Sequence, residues 1–354
     1  MKFAQLVLVL LVASSIAFIA IPATASEIYT KQELEVSSGF YGDNLFSIND
    51  SGTVLGPNVI GSNNPFATFI WSQQSGTADL SNQCIVVNAG INKAGQTVGV
   101  YEGPSTNYLT RPYIRNADGS STILQIQGVS SVWPSALNNL GQVAAELGYM
   151  DTNGYYTKTG TALIDGSGAI SEIDLPDTNY SVSDLSDTGY IAINGDGKAY
   201  SWFSGIGLTE LQGLNSTDIT RSQSVNNHGF VAGTSGDHAV MWRPDGGIVD
   251  LGLGVAYGIN NLGQVVGQSN NKAVLWNLNG SIVNLGLDEN TWATAINDKG
   301  WIVGGSMSPT YQSFLTTVLW EPIVPEPSSL LTLAGGLLSL GGVVLKRRAK
   351  VLQA

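Results

Sequence analysis

The chain has 354 residues, 43 of them Gly and 12 Pro, with 43% hydrophobic residues, 12% charged residues and a formal net charge of −12. That composition excludes a disordered chain and describes a turn-rich, β-rich globular one with a sizeable core. Between residues 26 and 327, 27 carboxylates face 10 Lys and Arg, a balance near −17 that argues against nucleic acid as a partner, because phosphate binding needs a basic face.

Residues 1–25 read as a secretory leader: Lys2, an apolar run over residues 6–21, and a small-residue cleavage site at Ala23 and Ala25 that leaves Ser26 as the mature N-terminus. Residues 26–322 are expected to form one domain. Its organising stretch is INNLGQVVG at residues 259–267, with variants beginning at Ile48, Ile91, Leu137, Leu185, Val225 and Ile296. Successive copies are 43, 46, 48, 40, 34 and 37 residues apart. In each, an apolar residue leads into Asn or Ser, two variable residues, Gly and an alternating apolar run, which is a tight β-hairpin pattern. Asn or Ser bonds its side chain to the backbone ahead, and the glycine (Gly52, Gly95, Gly141, Gly189, Gly229, Gly263, Gly300) supplies the left-handed conformation of a type I turn with a bulge. The residue before the leader is small in six copies and Asp184 in the other, which reads as crowding where inner strands converge.

A Trp position follows each turn, filled by Trp71, Trp202, Trp242, Trp276 and Trp320, with Arg115 and Ile164 as weaker equivalents. An acidic or amide residue followed by Leu comes next, as at Asp79-Leu80, Glu210-Leu211, Asp250-Leu251 and Asn284-Leu285, with Asp174-Leu175 slightly offset. Each unit therefore holds four short strands, and seven units predict an all-β, seven-bladed β-propeller of four-stranded blades. After Trp320 the chain meets Pro322, Pro325 and Pro327, so the seventh unit lacks its fourth strand. Glu33-Leu34 carries the missing signature, so the N-terminal strand is expected to close the ring.

The C-terminal region, residues 323–354, combines Val324-Pro325-Glu326-Pro327, an apolar run at about residues 330–345 and the basic cluster Lys346-Arg347-Arg348. The run reads as a membrane helix with its basic end cytoplasmic. In order and composition this tail resembles the PEP-CTERM sorting signal of Gram-negative bacteria. The resemblance implies processing by an exosortase, a transient membrane tether and a final place at the cell surface or in the extracellular matrix. His238-Ala239-Val240-Met241-Trp242 with Asp250-Leu251-Gly252 resembles the repeats of the extracellular HAF family, from which no activity carries over.

Catalytic and metal signatures are scarce. His228 occupies a variable turn position, and Asp151 to Gly154 and Asp165 to Gly168 open like calcium loops but lack the distant bidentate Glu. No HExxH, CxxC, Walker loop or GxSxG occurs, and no metal or other cofactor is expected. Arg111, Lys198, His238 and Lys272 share one repeat position; they form either a weak ligand rim for an anionic glycan or charge pairs with the acidic position before Leu, the second being preferred. The five in-register Trp read as core, while Trp133, Trp292, Trp301 and Tyr155-Tyr156 are surface-aromatic candidates. The lone Cys84 reads as a buried small hydrophobe. The functional expectation is a non-catalytic binding or scaffolding propeller for exopolysaccharide or a matrix protein. Its rival is a polysaccharide lyase or glycoside hydrolase with carboxylates at the propeller channel.

Overall fold

The structure, a computed structural model, describes residues 28–39, 46–57, 68–80, 90–102, 110–126, 129, 131–150, 156–176, 179–285, 290–307 and 314–323. These fold as seven antiparallel sheets, six of four strands and one of three. In six sheets the innermost strand carries the apolar leader and passes through the Asn-x-x-Gly turn, Ser186 standing for Asn in the fourth blade, into the second strand. All seven turn glycines take positive φ, from 73° at Gly263 to 91° at Gly189, and in each turn the glycine N–H returns to the carbonyl of the Asn or Ser three residues before it. The turn chemistry expected from the repeat is thus present in every copy.

Closure also follows the sequence. Tyr29–Gly39 is the outer strand of the seventh blade, antiparallel to Phe314–Pro322, with Glu33 opposite Val318 and Leu34 buried. An open ring would leave two unpaired sheet edges, and this pairing joins the chain ends across the last blade. Among the described residues the second blade has three strands rather than four. Its leader is reduced to a single bridge, Ile91 to Thr97, beside the strands Thr97–Glu102, Thr110–Arg115 and Ser121–Ile123.

The Trp position lies opposite the first residue of the second strand in every blade: Trp71 with Val54, Trp202 with Ile191, Trp242 with Val231, Trp276 with Val265 and Trp320 with Ile302. Arg115 opposite Thr97 and Ile164 opposite Val143 complete the set. Trp71, Trp242, Trp276 and Trp320 are buried between blades and Trp202 is half-buried. The third blade corrects one detail, since the buried residue that bonds back to the Trp strand is Ile173, through its N–H to the Thr161 carbonyl, rather than Leu175.

Trp133, Trp292 and Trp301 are half-buried rather than freely exposed. Trp301 lies over the turn of the first blade, where a Cβ on Gly52 would come within 2.3 Å of its ring. Cys84, the side chains of Tyr155 and Tyr156, residues 1–27 and the C-terminal stretch 324–354 lie outside the described residues, so the leader and the tail stay as sequence readings.

Candidate functional site: a channel with two unlike mouths

Seven inner strands around one axis leave a central channel, and their leaders pinch it. Ile48, Ile259 and Ile296 form a wall common to a cavity of about 160 Å³ on the turn side and one of about 200 Å³ on the other.

The turn-side mouth is a double ring of amides. The buried Asn of each turn accepts N–H groups from its own turn through Oδ1, as Asn260 does from Leu262 and Gln264, and donates Nδ2 to the carbonyl of the equivalent residue in the next blade. The donations run from Asn49 to Asn92, Asn92 to Asn138, Asn138 to Ser186, Asn226 to Asn260, Asn260 to Asn297, and Asn297 to Asn49 across the closure. Only Ser186, too short to reach, breaks the circle. One residue further on, Asp50, Lys93, Asn139, Asp187, Asn227, Asn261 and Asp298 make a second ring, in which a side-chain oxygen takes the neighbouring blade's N–H; Asp187 does this for Asn139 and Asp298 for Asn261.

Lysine cannot accept, so Lys93 interrupts this second ring. Its ammonium instead bridges Asp50 at 3.0 Å and Asp298 at 3.3 Å. The hydrogen bond to Asp50 raises the lysine pKa most. Burial pushes the Asp187 and Asp298 carboxyls upward, but amide donors from Asn139 and Asn227 on the first, and from Asn261 with Lys93 on the second, outweigh it and leave both below the usual range. Carboxylates do therefore gather at the channel, yet at this mouth they are tied up in hydrogen bonds and ion pairs.

The opposite mouth is built by β-bulges. In blades three to seven the inner strand carries one extra residue: Ser135, Ser183, Gln223, Tyr257 or Thr294. A bulge breaks the alternation of faces, so this residue and its successor both line the lumen. The bulged backbone also crowds the second strand, where a Cβ on Gly267 would lie 1.9 Å from the Val255 carbonyl oxygen and one on Gly304 1.9 Å from that of Trp292. Only glycine fits there. The funnel wall is thus a tier of five polar residues and Phe46 above a tier of mostly small ones. Ser183 pairs with Ser222 at 3.0 Å, whereas the Ser135 hydroxyl and Gln223 amide have no protein partner among the described residues.

Asp184 sits in the lower tier. Its carboxylate accepts the Ser224 hydroxyl at 2.7 Å, the Val225 N–H at 2.9 Å and the Leu185 N–H at 2.8 Å. Burial nevertheless holds its pKa above the ordinary value, with Asp187 adding to the rise. In the first blade Ser47 occupies the same place and takes the same inter-blade N–H, from Ile91 at 3.2 Å, without any charge. The fold's requirement is therefore met by a serine, and the carboxyl exceeds it. Sequence reasoning took Asp184 as an exception in a crowded ring and missed the five bulge residues. In blades five to seven a glycine faces the bulge from the second strand (Gly233, Gly267, Gly304), but blades three and four carry Ala145 and Ile193 there, so no common signal marks all five.

The proposed rim does not assemble. Lys198 pairs with Glu210 at 2.7 Å and His238 with Asp250 at 2.9 Å, each diagonally across neighbouring strands. The Arg111 guanidinium donates to the Thr110 carbonyl, and none of the four, Lys272 included, lines either mouth. Asp165 caps its own turn through Ser167 and Ala169. Among the described residues no group of His, Cys, Asp and Glu has a metal-binding arrangement.

No protein-family model matches the sequence, and no curated protein is recognisably similar to it. Solved structures do share the fold. A selenomethionine-substituted virginiamycin B lyase from Staphylococcus aureus superposes with a TM-score of 0.54 at 10% identity, over 84% of this chain and 100% of that one. A streptogramin B lyase gives 0.55 at 11% identity over 84% and 100%. A structure of the mitotic checkpoint complex gives 0.51 at 13% identity over 82% and 90%. At such identities the likeness is one of fold.

These structures correct the functional expectation. A non-catalytic scaffold was argued from missing sequence motifs, but this fold is one on which lyases are built, and a raised carboxyl in the channel needs no such motif. The scaffolding role is withdrawn, while the membrane tether and exosortase processing stay sequence readings. Their motif and apolar run lie outside the described residues, and no helix among the described residues is long and apolar enough to cross a membrane.

Proposed function

We propose that this chain is a glycan-cleaving enzyme whose active site is the bulge-lined funnel and whose acid–base group is Asp184. One observation carries the reading: a carboxyl with a raised pKa stands in a concave site walled by hydroxyl and amide side chains that bulges aim inward. A carboxyl kept protonated nearer neutral pH can hand its proton to a departing glycosidic oxygen, and once ionised can take one back from water.

Hydrolysis is the first reading. Elimination from a uronate builds a carbanionic intermediate that a cation must neutralise, and among the described funnel residues there is no Lys or Arg. Elimination is the second, favoured because Asp184 is the one carboxyl among those residues, whereas hydrolysis ordinarily pairs two. Assay of the purified protein on neutral and uronate glycans separates them: new reducing ends without ultraviolet absorbance mark hydrolysis, and an unsaturated, absorbing product marks elimination. Turnover should fall about 100-fold to 10,000-fold in Asp184→Ser. Undiminished turnover in that variant, or none in the parent on any glycan, overturns the proposal. Export through residues 1–25 would bring the enzyme to extracellular polysaccharide, and N-terminal sequencing that starts at Ser26 is the check.

A further inference from the structure

We infer that the funnel is a blind pocket for a single uncharged sugar ring, so that only the end of a glycan chain can be seated in it and cleavage is exo-acting. This rests on the glycan-cleaving reading for its second half, while the binding half stands on the pocket itself.

Three features lead there. First, the leaders divide the channel into two cavities. The funnel and the turn-side cavity meet at Ile48, Ile259 and Ile296, backed by the other leaders Ile91, Leu137, Leu185 and Val225. Every one of these leaders is at least half-buried, and beyond them the amide rings knit neighbouring blades together. Second, the funnel is small. At about 200 Å³ it lies below the roughly 300 Å³ at which pockets for drug-sized ligands begin. One ring fits endwise; a chain lying across the mouth would leave its rings outside.

Third, the lining is chemically graded. The floor is aliphatic, suited to the C–H face of a sugar, and the walls carry Ser135, Ser183 and Gln223 at the level where ring hydroxyls would stand. Ser135 and Gln223 have spare hydrogen-bonding capacity, and the Ser47 hydroxyl, which accepts the Ile91 N–H, keeps its own proton for a ligand. Among the described residues the titratable groups lining the funnel are Asp184 and Tyr257, and Asp187 lies beyond the waist. None of these is a cation, so a uronate would meet a carboxyl with nothing to offset its charge, whereas a neutral ring loses only water.

The test uses the full-length protein. Ligand-observed NMR with neutral methyl glycosides and the matching uronic acids should show neutral binding to the parent and to Asp184→Ser. Uronate binding should be at least tenfold weaker, and neutral binding should be lost in Ser135→Trp, whose indole would fill a lumen that packs against nothing. On a polymer, single sugar units should appear from the first time point while viscosity falls slowly. Binding unaffected by Ser135→Trp, or uronates preferred, overturns the pocket assignment. A rapid viscosity drop with long oligomers overturns the exo-acting inference yet leaves glycan cleavage standing. Neutral-ring binding lost in Ser135→Trp, with no cleavage of any glycan, supports the pocket and overturns the cleavage reading instead.

Discussion

The two mouths of the channel are made by the two ends of the same seven strands, yet they answer different demands. At the turn side nearly every polar group is spent on another: amide to carbonyl, carboxylate to N–H, Lys93 to two aspartates. At the funnel side the Ser135 hydroxyl and Gln223 amide stand without protein partners among the described residues, and a carboxyl sits where a serine suffices in the first blade. Saturated polarity fastens blades; unsaturated polarity, kept at a cost to folding, is what a ligand site requires. Within one motif, Asn and Asp at the turn are therefore structural, and Ser, Gln and Asp a few residues earlier line the proposed site.

The sharpest way to break this division is to move a residue between the two roles. Asp184→Ser installs what Ser47 already is, so cleavage should collapse by about 100-fold or more while the melting temperature changes little. Asn260→Ala should do the reverse. It removes the acceptor of two turn N–H groups and the donor to the Asn297 carbonyl, all at a buried position, and should cost about 2–4 kcal/mol with kcat unchanged in the protein that remains folded. Thermal or urea denaturation of both variants beside their turnover gives a two-by-two comparison. A destabilised Asp184→Ser with normal turnover would reverse the assignment.

The same contrast explains what could be read from the sequence. Seven turns, their glycines, the Trp strands and the N-terminal strand that closes the ring are all periodic, and periodicity survives in a linear string. The inter-blade donation by Asn was hidden because its partner lies some 34 to 48 residues away, or 248 across the closure, so only the local half of the residue's role shows in the motif. The bulges were hidden for another reason. An extra residue in a strand looks like any alternation error, and the glycine that faces the bulge in blades five to seven, as Gly267 faces Ala256, is replaced by Ala145 and Ile193 in blades three and four. Asp184 did stand out, but sequence alone could not distinguish a tight corner from an open lumen.

Acidity offers a gentler probe, because the two mouths have opposite signs. Asp187 and Asp298 have folded-state pKa values below their unfolded ones, so each contributes stability that is complete above the unfolded pKa and is lost as pH falls through the folded one. Asp184 is raised, so its contribution improves as pH falls through the folded value and is complete below the unfolded one. The stability deficit of Asp298→Asn should thus shrink on acidification, while the parent gains on Asp184→Ser over the adjoining higher window. Chemical denaturation of the three proteins across that range checks both slopes; parallel slopes would mean that the mouths are electrostatically alike.

Lys93 gives the smallest effect. It is the one cation among seven ring positions, half-exposed, and it ties the first blade to the seventh from its seat on the second. Its charge is solvated on one side, so Lys93→Met should cost only about 0–1 kcal/mol and less at high salt. Asp50 and Asp298 would then lose their shared counter-ion, and the acid transition should begin at a higher pH, because the Asp298 pKa is held down in part by that ammonium. Glycan cleavage should not move, since the waist of leader side chains lies between Lys93 and the funnel. A Lys93→Met protein that folds normally but turns over tenfold more slowly would place the chemistry at the turn-side mouth and make its three carboxylates the catalytic set.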